Sequence, residues 1–172
     1  ALAGRARARY LLCRGGWDLD PPDQVRATVR PVIDLAAGTD GVWSGVGKKL
    51  RNQLRRCLKS STRVSAEGAI PDAFYPVFAR VQRDLGTPVQ PRRFFRAINA
   101  HLSDRLVFLG LYEGSDLIGG MVCLGRAGWL HSLYAATHPA QQRDYANYRL
   151  YWGAIDYAVA QGYAWFDMGR SV

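Results

Sequence analysis

The chain is 172 residues long, 48% apolar and 22% charged, with a formal net charge of +9. At roughly 150 residues per domain this is one domain, or one domain plus a remnant of another, and the globular composition excludes disorder, collagen and coiled coil. The longest apolar run, Leu106 to Tyr112, falls far short of the roughly 20 residues a bilayer-spanning helix needs. The start, Ala1-Leu2-Ala3-Gly4-Arg5, has no signal-peptide core, so a soluble, cytoplasmic chain without a transmembrane segment is expected. Because the first residue is not Met, the expectation is an excised or processed piece of something longer. Cys13, Cys57 and Cys123 lie far apart with no C-x-x-C pair, which reads as reduced structural thiols and no metal site. The charge is concentrated: from Gly41 to Ala66 there are seven basic residues and no acid. Such a field implies an anionic partner.

In chain order, Arg9 to Cys13 reads as a short strand. Val25 to Leu35 alternates with period two, which predicts a half-buried strand, and Pro31 places it at an edge or bulge. Gly38 to Gly47, with four glycines, reads as a loop. Lys48 to Lys59 places Leu50, Leu54, Cys57 and Leu58 on one stripe and predicts a helix with a basic opposite face. Asp72 is the expected N-cap of a helix carrying Phe74, Phe78, Val81 and Leu85, stopped by Gly86-Thr87-Pro88. Pro91 opens another, with Phe94 or Phe95, Ile98 and Leu102. Three apolar runs follow, Leu106 to Tyr112, Leu117 to Leu124 and Trp129 to Ala135, separated by hairpin signals. A helix from about Asp144, with Tyr148, Tyr151, Trp152, Ile155, Ala158 and Val159 inward, ends at Gly162. The last strand is Tyr163 to Met168. A helix joining two strands is a crossover, so this strand should lie parallel to a meander strand. The predicted class is α/β (α+β): a mixed sheet with an antiparallel meander, a crossover helix and a parallel last strand, with helices on both faces.

Two stretches can carry chemistry. The basic helix gathers guanidinium and ammonium groups with no acid at i±4, a set able to hold a diphosphate. Asp167-Met168-Gly169-Arg170-Ser171 sits at a strand exit, where Arg170 and Ser171 offer donors to an anion and Gly169 permits close approach. The same residues could instead close a structural Asp–Arg turn. In Tyr145, Tyr148, Tyr151, Trp152 and Tyr157 the simplest role is core packing, while Asn147 near the helix start could aim its amide at a ligand. For His101, His131 and His138 the sequence certifies no acid at catalytic-triad spacing; any of them could be a base, and a structural or exposed role is the simpler one. No P-loop, Gly-x-Ser-x-Gly, His-Glu-x-x-His or Gly-x-Gly-x-x-Gly is present, so NTP hydrolysis, esterase, zinc-peptidase and Rossmann readings have no support.

Taken together, Lys49-Leu50-Arg51-Asn52-Gln53-Leu54-Arg55-Arg56 with Lys59, Phe74-Tyr75, Arg83-Asp84-Leu85-Gly86-Thr87-Pro88-Val89, Asn147 with Leu150-Tyr151-Trp152, and Phe166-Asp167-Met168-Gly169-Arg170-Ser171 resemble the FemAB-like branch of the GNAT acyltransferase superfamily. The nearest likeness is to FemAB-related proteins found beside PEP-CTERM exopolysaccharide systems. The resemblance implies two GNAT-like halves, with residues 1–40 as closing strands of the first plus a linker. Residues 41–172 are then the second, acyltransferase half, its C-terminal end incomplete.

It further implies transfer of an acyl or aminoacyl group to an amine in cell-envelope or exopolysaccharide precursor metabolism. The donor is aminoacyl-tRNA or acyl-CoA and no cofactor is tightly bound. Partners are a phosphate-bearing donor or acceptor, tRNA, and the membrane surface through a lipid-linked substrate. Residues expected at the substrate are Lys49, Arg51, Asn52, Arg55, Arg56, Lys59, Asn147, Tyr151, Gly169, Arg170 and Ser171; because such a transfer needs a base and an acid or oxyanion donor, Asp167 is expected as base and Tyr134 as acid or oxyanion contact. The coenzyme A loop of the superfamily uses glycines to bring backbone N–H groups to a pyrophosphate, and His138 to Asn147 contains none. Alternatives from other classes are a small-molecule N-acetyltransferase using acyl-CoA and a non-catalytic module binding nucleic acid or anions.

Overall fold

The computed structural model describes residues 30–139 and 145–169. The elements are β1 (Val32–Asp34), α1 (Gly38–Gly45), α2 (Lys48–Leu58), β2 (Thr62–Glu67), α3 (Phe74–Asp84), α4 (Arg92–His101), β3 (Leu106–Glu113), β4 (Asp116–Arg126), β5 (Trp129–Thr137), α5 (Ala146–Ala160) and β6 (Trp165–Asp167). One six-stranded sheet runs in the order β1-β6-β5-β4-β3-β2. All neighbours are antiparallel except β5 and β6, which are parallel because α5 carries the chain across between them. The meander, the crossover helix and the parallel last strand thus stand as expected.

The β4–β5 turn shows why the hairpins were legible. Ala127 and Gly128 both have positive φ, 49° and 80°, the twist that a two-residue connection between right-twisted strands demands. The sheet buries both faces. On one, α1, α2 and α5 cover Leu109, Leu111, Met121, Cys123, Leu130 and Phe166. On the other, Phe74, Phe78, Phe95 and Ile98 of α3 and α4 cover Leu106, Phe108 and Val122. Phe74 there makes ring contacts with Phe78, Phe95 and Phe108 at centroid distances of 5.1–6.2 Å. Cys57 and Cys123 are buried free thiols, and burial pushes the Cys123 thiol far up its titration range.

Several expectations are corrected. Gly38 to Gly45 is a helix and not a loop. Trp43 packs edge-on against Trp152 at 5.2 Å, and that tertiary contact outweighs the weak helix propensity of glycine. Thr62–Glu67 is a strand with no counterpart in the sequence reading. The strand expected from Val25 to Leu35 is found only as Val32–Asp34, beginning after Pro31; residues 25–29 and the strand expected at Arg9 to Cys13 lie outside the described residues. Ala73, not Asp72, caps α3, and the Asp72 carboxylate faces Arg96 at 3.7 Å instead. Tyr148 is exposed and does not join the inner face of α5. Leu50 and Leu58 on the α2 stripe are also exposed, while Leu54 and Cys57 carry its packing.

α5 packs tightly on the sheet at Gly153, where an added Cβ would lie 2.7–2.8 Å from the Val64 side chain of β2. Gly153→Ala would raise helix propensity by about 1 kcal/mol, yet it should lower stability by about 1–3 kcal/mol through overpacking. Val64→Ala in that background should recover part of the loss. Urea unfolding of the four members of this cycle measures the coupling.

Candidate active site

The parallel register of β5 with β6 is short: Trp129↔Trp165, Leu130↔Phe166 and His131↔Asp167. Beyond His131, β5 continues to Thr137 with β4 as its strand partner. The sheet therefore splits at this point. A register shift opposite Val122 and Cys123 puts a bulge in β5 between Ser132 and Tyr134. Bulges re-aim side chains and are frequent beside active sites. The next strand residue, Leu133, is exposed.

At the fork, Asp167 is 3% exposed and its carboxylate is fully engaged. Oδ1 accepts the Gly169 N–H at 2.9 Å, and Oδ2 takes both the Arg30 guanidinium and His131 Nδ1, the latter at 3.1 Å. Three donors from three segments offset the cost of burying the charge. The His131 ring lies parallel to Trp129, 5.7 Å between centroids and 8° between planes, and Trp129 in turn stacks on Trp165 at 5.5 Å. Leu124, opposite His131, belongs to the core beneath α3 and α4, as does Tyr134, so Asp167, His131 and Tyr134 share that face of the sheet. The Tyr134 ring packs against Phe78, Phe94 and Phe95 at 5.6–5.9 Å.

On the opposite face, the far end of β5 is tied to the start of α5 by the Thr137 hydroxyl, which donates to Asn147 Oδ1 at 2.8 Å. The residue before α5, Tyr145, has φ 57° and makes no side-chain cap, a conformation that costs a non-glycine residue roughly 1 kcal/mol. Tyr151 packs within the core of that face near Phe166, and burial raises its phenol above the usual range, the Cys123 thiol adding to this. Gly169 lies against the Ser132 carbonyl, where a Cβ would come within 2.9 Å. Arg170 and Ser171 lie outside the described residues.

The basic residues of α2 separate into two groups. Lys48, Lys49, Asn52, Arg55, Arg56 and Lys59 are exposed, and the first turn of α2 holds no acid. Arg55 bonds Asn52 Oδ1 at 3.1 Å and lies over the Trp43 ring at 5.7 Å. Arg51 is turned inward, its Nη2 donating to the Val46 carbonyl at 2.6 Å and the Ser44 carbonyl at 3.3 Å. It closes the carboxyl end of α1, where a cation also meets the negative end of the helix dipole. A separate polar group sits at the other edge of the sheet: Tyr112 donates its hydroxyl to Glu67 Oε1 at 2.5 Å, and the Arg63 guanidinium lies 4.6 Å from the centre of its ring. Desolvation, then the Glu67 hydrogen bond and charge, push the Tyr112 phenol up to about 12.

The His131–Asp167 pair was not anticipated, because it depends on which residues the parallel register brings level. A signal does exist in the sequence: Trp129-Leu130-His131 and Trp165-Phe166-Asp167 repeat the order Trp, apolar, polar. Aligning them in parallel brings the imidazole to the carboxylate. Arg30 carried no such signal.

Two outcomes follow. Arg51→Ala should lower stability by about 1–3 kcal/mol, measured by denaturant unfolding, because it leaves two helix-end carbonyls without their donor. The Tyr112 phenol is neutral when folded up to about pH 12 and, once unfolded, only to about pH 10. Its contribution is therefore complete below about pH 10 and is lost as pH rises through the folded value. Glu67→Gln should bring the late tyrosinate absorbance step at 295 nm to lower pH, and an unchanged curve would contradict the assignment.

A family model described as an acetyltransferase (GNAT) domain matches residues 46–172. No curated protein matches the chain. Among solved structures, FemX superposes with a TM-score of 0.71 at 11% identity, covering 84% of this chain and 54% of FemX. A C-terminal domain assigned to lysylphosphatidylglycerol synthetase in Agrobacterium fabrum gives 0.60 at 11% identity, covering 84% and 47%. An aminoglycoside acetyltransferase from an uncultured soil metagenomic sample, solved with sisomicin, gives 0.50 at 10% identity, covering 64% and 78%. The chain thus spans about half of the first two, and at these identities the likeness is one of fold. With the family model spanning most of the chain and the split mixed sheet matching those structures, the chain belongs to the acetyltransferase (GNAT) domain family of acyltransferases.

Proposed function

We propose that the domain transfers an acyl or aminoacyl group to an amine acceptor in cell-envelope or exopolysaccharide precursor chemistry, as a member of the FemAB-like branch related to PEP-CTERM-associated proteins. The observation that carries this reading is the fork between β5 and β6, which sets a bulged, one-sided strand beside a buried Asp–His pair. An open strand edge can receive the extended arm of a donor through main-chain hydrogen bonds. The polar groups beside it meet the needs of aminolysis, a proton acceptor for the amine and a donor to the developing oxyanion. Asp167 and Tyr134 contribute to that face. Asn147, Tyr151, Gly169, Arg170 and Ser171 are the further substrate contacts of this reading, with Arg170 holding an anionic group of the acceptor.

Lys49, Asn52, Arg55, Arg56 and Lys59 bind the phosphates of the donor or acceptor, while Arg51, on the same helix, ties it to the carboxyl end of α1. The donor is aminoacyl-tRNA or acyl-CoA, arriving as a co-substrate. The absence of glycine from His138 to Asn147 favours the tRNA-borne donor. A lipid-linked acceptor would bring the domain to a membrane surface; among the described residues no helix is long and apolar enough to cross one.

The test is transfer from mixed aminoacyl-tRNA, or from acetyl-CoA, to amine-bearing nucleotide-linked and lipid-linked precursors, read by mass spectrometry. Aminoacyl transfer is expected. The double variant Arg56→Ala/Lys59→Ala should weaken tRNA binding by about tenfold and reduce the slope of log affinity against log salt by about 1.5–2, leaving urea stability unchanged. Acetyl transfer alone would replace this reading with a small-molecule acetyltransferase, and salt-dependent tRNA binding without transfer would replace it with a binding module.

A further inference from the structure

Asp167 was expected to act as the base, but both of its oxygens already accept hydrogen bonds. Oδ1 holds the Gly169 N–H, and Oδ2 holds Arg30 and His131. A carboxylate so placed has little left with which to collect a proton from a substrate. The imidazole it holds does have that capacity. An ionised carboxylate only accepts, so His131 Nδ1 must carry the hydrogen directed at Oδ2, and in the neutral ring Nε2 then bears the lone pair. Nε2 has no hydrogen bond among the described residues and is not sealed from solvent; the side chain is 31% exposed.

The ring plane is fixed twice, by the Asp167 bond and by stacking on Trp129. Its position is also telling, since His131 is the last β5 residue in register with β6. Among the described residues, the groups around it are Asp167 from β6, Arg30 ahead of β1, apolar Leu124 from β4 and aromatic Trp129 on its own strand. From α3 and α4 the neighbouring wall is the phenyl cluster Phe78, Phe94 and Phe95 around Tyr134. Among the described residues, the charged group hydrogen-bonded to the ring is the Asp167 carboxylate.

We propose that His131 is the catalytic base and acid of the transfer, and that Asp167 is a positioning residue acting through it. This rests on the transfer reading above. The neutral amine nitrogen attacks the acyl carbon of the ester or thioester, and its N–H proton passes to His131 Nε2. The tetrahedral oxyanion then re-forms the carbonyl, the bond from carbon to the leaving oxygen or sulfur breaks, and the imidazolium returns the proton to that leaving atom. The products are an amide and the free hydroxyl or thiol of the carrier, with neutral His131 restored.

The test combines a tautomer measurement with kinetics on the purified chain. Nitrogen-15 NMR of labelled histidine should show neutral His131 protonated at Nδ1, and Asp167→Asn should weaken that preference. In the transfer assay, His131→Gln should lower kcat by about 100-fold or more with KM within about threefold, and free imidazole should restore part of the rate of His131→Ala. Asp167→Asn should lower kcat less than His131→Gln and keep measurable KM, a split that loss of folding would not give. Circular dichroism checks that each variant is folded. A folded His131→Gln variant with wild-type kcat, or a neutral ring protonated at Nε2, overturns the assignment while leaving the transfer reading standing. A wild-type chain that transfers from neither donor overturns that reading and the assignment with it.

Discussion

The buried carboxylate of Asp167 holds together the fork between β5 and β6. A charge at 3% exposure costs several kcal/mol unless it is paired and hydrogen-bonded. Here its donors come from three places, the segment before β1, strand β5 and the chain just past β6. Satisfying it fixes the register of β6 against β5 on one side and β1 on the other. A one-residue slip of β6 would send Asp167 to the opposite face of the sheet and bring Phe166 out of the core. The site is therefore specified by an electrostatic requirement as well as by packing.

The apolar framework makes that possible by being complete elsewhere. β3 and the middle of β4 are buried on both faces, so the meander has no freedom to slide. α5 crosses one face and α3 with α4 occupy the other. Among the described residues the covering thins toward β6, leaving Trp165 and Leu133 exposed and Trp129 and His131 partly so, as it also does along the β2 edge. The fork thus lies at a thinly covered part of the sheet, where a ligand can enter without unpacking a core.

What was legible in the sequence follows from the same physics. The meander and α5 announce themselves because their apolar residues recur at the spacing of buried structure, and the parallel last strand follows from the handedness of a crossover. α1 did not, since its three glycines weigh against a helix and only the contact of Trp43 with Trp152 reverses that. β2 is an edge strand half open to solvent, so Thr62 to Glu67 lacks a clean alternation. Within the basic run, Arg51 looked like its neighbours, and a count of charges cannot tell a guanidinium aimed at its own backbone from one aimed outward. His131 and Asp167, far apart in sequence, meet only once the register of two parallel strands is known.

The placement of α2 constrains the ligand. Its carboxyl end leads through Ser60 and Ser61 directly into β2, the edge strand four positions from β6 in the sheet. At about 4.8 Å per strand, β2 lies roughly 19 Å from β6 across the sheet. A single small anion cannot touch both. If the exposed cations of α2 serve the same reaction as the His131–Asp167 pair, the substrate must carry its phosphates at a distance from its reacting carbonyl or amine and present several of them to a three-turn helix. A polynucleotide carrier meets both conditions, whereas a lone diphosphate occupies one end of such a surface and leaves the remaining cations without an anion.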